Sequence, residues 1–235
     1  QPVHIRTQDS QDEGRVVARI EQHVFRAHAL DKIEMLARIL QADGRGPTIV
    51  FCRTKRTAQK TADDLIERGF RASSIHGDLG QSAREKALND FKSGKRDVLI
   101  ATDVAARGID VDGITHVINY QCPEDEKTYV HRIGRTARAG ADGIAVTFVD
   151  WDELARWKMI DMALELGLPE PLETYSSSDH FFEAMHIPAG SSGRMVAAAK
   201  VEAPKSEKPV RKSAPREKAP AERAPREKTE RVRTR

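Results

Sequence analysis

Short runs rich in aliphatic and β-branched residues alternate along this chain with stretches in which apolar residues recur at helical spacing. His23 to Ala27, Thr48 to Cys52, Ala72 to Ile75, Val98 to Thr102, His116 to Tyr120 and Ile144 to Val149 read as strands. Between them, Leu30, Ile33, Leu36, Ala37 and Leu40 trace one helical face, Ala58, Ala62, Leu65 and Ile66 a second, and Ala83, Ala87, Leu88 and Phe91 a third. Trp151, Ala155, Met159, Met162 and Leu166 predict a closing helix. Strand and helix taking turns imply an α/β fold, a mostly parallel sheet with helices on both faces.

In such a sheet, ligands sit where loops leave the carboxyl ends of the strands. Arg53-Thr54-Lys55, His76-Gly77-Asp78 and the run from Asp103 to Asp110 each follow a predicted strand directly, so polar and cationic residues gather at one edge. Thr54 equally suits a helix cap, and Gly77 a simple turn.

Charge divides the chain. Residues 194–235 hold fourteen Lys and Arg against six Glu, a net of +8, so the formal +3 of the whole leaves −5 on the remainder. That tail contains five prolines, repeats Ala-Pro-Arg-Glu-Lys at 214–218 and 224–228, and has almost no large apolar residues. It is expected to be disordered and to favour RNA through counterion release, or else to act as a solubilising tail. Residues 1–20 are polar and begin without methionine, which reads as a linker or the start of a fragment. A domain over 21–168, an extension over 169–193 and the tail over 194–235 complete the expected organisation. No apolar run reaches the roughly 18 residues that span a bilayer, so no membrane role and a cytoplasmic location are expected. Cys52 and Cys122 form no C-x-x-C pair, which argues against a disulfide framework or a zinc site.

The densest chemistry lies in His131-Arg132-Ile133-Gly134-Arg135-Thr136-Ala137-Arg138-Ala139-Gly140. If helical, it stacks Arg132, Arg135 and Arg138 on one face as a cationic ridge, with Gly134 thinning the backbone for a bulky ligand. Guanidinium forks suit the planar oxygens of a nucleotide phosphate. A solvated basic face is the plain alternative.

Val98 to Asp110, followed some twenty residues later by Tyr129 to Arg138, resembles motifs V and VI of the DEAD-box RNA helicases. Ile49-Val50-Phe51-Cys52-Arg53-Thr54 is similar to their motif IV, and His76-Gly77-Asp78 with Gln81-Ser82-Ala83-Arg84 to the element between. The likeness covers residues 21 to about 168, which it identifies as the second, C-terminal RecA-like domain. Pro169 to Tyr175 and the basic tail resemble bacterial RhlE-type members more loosely.

The resemblance implies that Arg135 and Arg138 are arginine fingers for ATP. It implies that His131 and Arg132 tie their helix to the first domain and its catalytic carboxylates. Gly108 and Asp110 fall to the ATP side, Asp110 accepting from the ribose hydroxyls. Arg53, Thr54, Gly77, Gln81, Arg84 and Thr102 fall along the RNA backbone. Ala137 stands where glycine is commoner in the family motif, and Gly80 and Ala83 are unusual occupants of theirs.

No phosphate-binding loop is present: Gly94-Lys95 is followed by Arg96 and lacks the upstream glycine spacing. Asp12-Glu13, Asp125-Glu126 and Asp152-Glu153 are not followed by Ala-Asp. The chain therefore reads as the second half of an ATP-dependent RNA helicase, inactive as an ATPase alone. Its partners would be RNA and the N-terminal RecA-like domain, which holds most of ATP and Mg2+. The rival readings are a non-catalytic RNA-binding module and a DNA-directed helicase fragment of the same superfamily.

Overall fold

The computed structural model describes residues 20–107, 109, 111–137 and 142–195. The expected linker before Ile20 and the tail beyond Met195 lie outside the described residues, as do Gly108, Asp110 and Arg138. Seven strands form one sheet: β1 (Ile20–Arg26), β2 (Thr48–Phe51), β3 (Ala72–Ile75), β4 (Val98–Ala101), β5 (His116–Asn119), β6 (Gly143–Val149) and β7 (Leu172–Glu173). Their order is β3-β4-β2-β5-β6-β1-β7, and every pair is parallel. The fold is the RecA-like α/β sheet.

The helices are α1 (Lys32–Ile39), α2 (Lys55–Glu67), α3 (Gln81–Lys92), α4 (Asp103–Ala106), α5 (Glu126–Ile133), α6 (Leu154–Leu164) and α7 (Asp179–Ala184). All four residues of β2 are buried, as a strand covered on both faces requires. Its side chains divide between two cores. Val50, with Cys52 just beyond the strand, packs with Met35 and Leu36 of α1, Ala62 and Leu65 of α2 and Phe181 of α7. Ile49 and Phe51 pack on the other face with Phe91 of α3 and Ala105 of α4. A third cluster seats Tyr129 and Ile133 of α5 and Trp157 and Ile160 of α6 against Ala145 and Val149 of β6. No helix among the described residues is long and apolar enough to cross a membrane.

After β2 the chain lays β3 and β4 to one side, then crosses back to place β5 on the other. The carboxyl ends of β4, β2 and β5 thus flank a topological switch point, where an open parallel sheet offers its crevice.

Candidate functional site

Three strand ends build the rim. Beyond β2, Thr54 caps α2, its hydroxyl accepting from the Thr57 N–H at 3.1 Å. Beyond β3, Gly77 is exposed, and a Cβ added there would meet nothing within 4 Å, so a ligand can approach the backbone closely. Beyond β4, Thr102 stands half-buried before α4. Lys55 donates to Asp78 at 2.8 Å and clasps the first two loops together. Arg84 reaches from α3 to donate to the Ala105 carbonyl at 2.9 Å, while the exposed Gln81 donates to Glu85 at 2.7 Å. Thr54, Gly77, Gln81, Arg84 and Thr102 therefore occupy neighbouring loops and helix starts at one edge.

Arg53 turns elsewhere. Its guanidinium pairs with the buried Glu153, and its N–H donates to the Gln121 side chain at 3.0 Å. Glu153 also receives the Asp150 N–H at 3.1 Å and stands 3.6 Å from the Lys32 ammonium. Sequence alone offered no sign of this buried carboxylate beyond an Asp-Glu pair.

The continuous arginine ridge does not form as expected. Helix α5 starts at Asp125, whose carboxylate accepts from the Thr128 N–H at 2.7 Å, and it ends at Ile133. Gly134 is its C-cap, not a mid-helix glycine thinned for a ligand. The chain leaves the helix because the buried Thr136 hydroxyl donates to the Ile114 carbonyl at 2.6 Å. Arg132 and Arg135 consequently lie on different local structures, one in a helix and one in a turn.

Arg132 is 2% exposed and points inward. Its Nε and Nη2 donate to the two oxygens of Asp103 at 2.6 and 2.7 Å, and Nη1 donates to the Asn119 side chain and the Gln121 carbonyl, each at 3.2 Å. The guanidinium lies 5.3 Å over the Phe51 ring. The carboxylate it binds here, that of Asp103, belongs to its own domain. The ends of three strands, β2, β4 and β5, are held by this one side chain.

Around it opens a polar recess of about 90 Å³, lined by Asp103, Arg107, Thr128, His131, Arg132 and Arg135. His131 is exposed, and Arg135 donates to the Ile109 carbonyl at 3.4 Å. Arg107 and Thr128 escaped the sequence reading; Arg107 was visible only as one more cation in the loop after β4. Cys52 and Cys122 are not nucleophiles: burial pushes each thiol up to about 12. No group of three or more carboxylates, imidazoles or thiols among the described residues could hold a metal ion.

The chain is a RecA-like domain whose switch point carries a buried arginine, an arginine-lined recess and small polar loop residues. Residues 31–140 match the helicase conserved C-terminal domain. The ATP-dependent RNA helicase CshA of Listeria monocytogenes is 48% identical over 162 residues, which make up 69% of this chain and 31% of that protein. The chain thus spans about a third of that curated relative. Among solved structures, the E. coli DEAD-box protein SrmB bound to RraA superposes with a TM-score of 0.60 at 31% identity, over 69% of this chain and 92% of that one. A variant of S. cerevisiae Dbp5 bound to RNA and ADP BeF3 gives 0.60 at 31% identity, over 71% of this chain and 43% of that one. The chain belongs to the DEAD-box RNA helicases and carries their C-terminal helicase domain. The curated relative is a CshA protein, and an RhlE-type affiliation gains no support from it.

Proposed function

We propose that this domain is one half of an ATP-driven RNA-remodelling enzyme of the cytoplasm, completed by an N-terminal RecA-like domain. In this reading Arg135 and Arg138 approach the γ-phosphate of ATP, with His131 and Arg107 beside them and Gly108 and Asp110 on the ribose side. A guanidinium there neutralises charge that spreads over the transferring phosphoryl group, an effect worth on the order of 10³ to 10⁵ in rate. Arg132 acts one step back, locking the end of α5 to Asp103 so that Arg135 starts from a fixed point.

The recess at the end of α5 carries the reading. Its volume of about 90 Å³ is well below the roughly 300–1,000 Å³ of a pocket that encloses a ligand by itself, yet cations line it. Such a site suits a phosphate whose nucleotide is gripped mainly by another domain. In this reading Mg2+ is held mainly by that other domain, together with the phosphates it bridges.

Thr54, Gly77, Gln81, Arg84 and Thr102 form the RNA-backbone side. Hydroxyls, an open backbone and a guanidinium contact sugar and phosphate without reading bases, so sequence selectivity is low. The basic tail adds sequence-blind, salt-sensitive attraction. ATP-dependent closure of the two domains bends the strand and separates a short duplex.

Fusing the chain to a first domain tests this. RNA-stimulated ATP hydrolysis is expected from the fusion and not from the chain alone. Arg135→Ala and Arg138→Ala should each abolish most turnover while RNA binding persists. Normal turnover in both variants would remove the arginine-finger assignment.

A further inference from the structure

One carboxylate gathers three cations where β2, β5 and β6 end. The Glu153 side chain, 6% exposed, pairs with Arg53, stands 3.6 Å from Lys32 Nζ and lies 3.9 Å from Arg156 Nη1. Asp150 adds a second negative charge 3.7 Å from the same lysine. Lys32, Arg53 and Arg156 against Glu153 and Asp150 leave one positive charge in excess.

That excess faces outward. The lysine side chain is 5% exposed, whereas the Arg53 and Arg156 side chains are 29% and 37% exposed. Both guanidiniums approach the same oxygen, Glu153 Oε1, so a single phosphate group can meet both. A tetrahedral anion with several acceptor oxygens is the ligand class that can engage both partly exposed arginines at once.

We propose that Arg53 and Arg156 form a phosphate clamp for one phosphodiester of an RNA strand, with Glu153 as the positioning residue that sets the two guanidiniums side by side. The proposal rests on the RNA reading of the rim. Arg53 directly precedes Thr54, so the clamp carries that track from the end of β2 across to the start of α6. Arg156 lies outside every motif on which the family resemblance rests.

The test is binding of the complete 235-residue chain to a fluorescent oligouridylate across a salt series. Arg156→Gln should weaken binding about three- to tenfold and lower the salt slope by about 0.7, the loss of one single-strand phosphate contact. Arg156→Lys should restore part of both. Glu153→Gln keeps the shape, removes the competing charge, and should tighten binding and steepen the slope. Should that variant fail to fold in a thermal melt, the half-buried Arg156 still decides. Unchanged affinity or unchanged slope in Arg156→Gln, while Arg84→Ala and Thr102→Ala weaken binding, overturns the clamp and leaves the RNA rim standing. If Arg84→Ala and Thr102→Ala are also silent, the RNA rim itself is wrong.

Discussion

Arg132 and Asp103 meet in a bidentate pair, Nε to Oδ1 at 2.6 Å and Nη2 to Oδ2 at 2.7 Å, that ties α5 to the loop after β4. The arginine is 2% exposed, while the aspartate side chain keeps 35% of its surface in water. Removing one partner of a buried pair leaves the other uncompensated, a loss of about 3–5 kcal/mol when both are buried. Here the wet aspartate places Asp103→Asn near the lower end, about 3 kcal/mol. Urea unfolding of the chain measures this, and a loss under about 1 kcal/mol would show that the pair does not hold the rim together.

Gly143 and Ala137 predict effects of different size. A Cβ on Gly143 would sit 2.3 Å from Thr136 Oγ1 and 2.9 Å from the Ala137 N, too close for either to yield without moving the turn that carries Arg135. Gly143→Ala should therefore cost about 1–3 kcal/mol, as overpacking does. Ala137 has a φ of 54°, in the left-handed region where a Cβ is strained by roughly 1–2 kcal/mol. Glycine removes that strain but adds roughly 0.4–1 kcal/mol of unfolded-chain entropy and loses about 0.8 kcal/mol of burial by the core methyl, so Ala137→Gly should leave stability within about 0.5 kcal/mol of the parent. Thermal melts should show a clear drop for Gly143→Ala and little change for Ala137→Gly, and a comparable drop in both would contradict the geometry.

These two positions also show where sequence reasoning reached its limit. The methyl of Ala137 reads as a trivial departure from glycine until its φ is known. Six strands were legible, because β-branched runs such as Thr48 to Phe51 and Val98 to Ala101 are buried on both faces and carry no helical period. The two-residue β7 and the six-residue α7 were not, since neither is long enough to display one. Three arginines at every third position promised a helical ridge, but the Thr136 bond to Ile114 comes from a distant strand end and outweighs local spacing. Arg53 was legible as a rim residue; its capture by Glu153 depends on a residue 100 positions away.

Both cysteines should resist thiol reagents in the folded chain. Each is buried, and burial pushes each thiol up to about 12, so almost no thiolate forms near neutrality. Titration with a disulfide reagent should give no fast reaction in buffer and two thiols in denaturant. One rapidly reacting thiol in buffer would mean that the core around β2 or β5 opens readily.

Stability should fall with acidification well before the carboxylates protonate, because of His116. Its ring is 3% exposed, with Nδ1 2.8 Å from the Thr115 hydroxyl. Burial lowers its pKa to about 4, with the charges of Arg45 and His23 adding to the effect and Glu21 opposing it. The unfolded chain takes up the proton near 6.5, the folded chain only near 4, so between those values the unfolded state binds more protons. Stability is therefore fully present above about pH 6.5 and declines as pH falls, the loss approaching roughly 3 kcal/mol near pH 4. His116→Asn cannot take up that proton, and its urea midpoint should fall less steeply over the same range, whatever its stability at neutral pH. Parallel slopes for the two proteins would place the acid sensitivity in other groups.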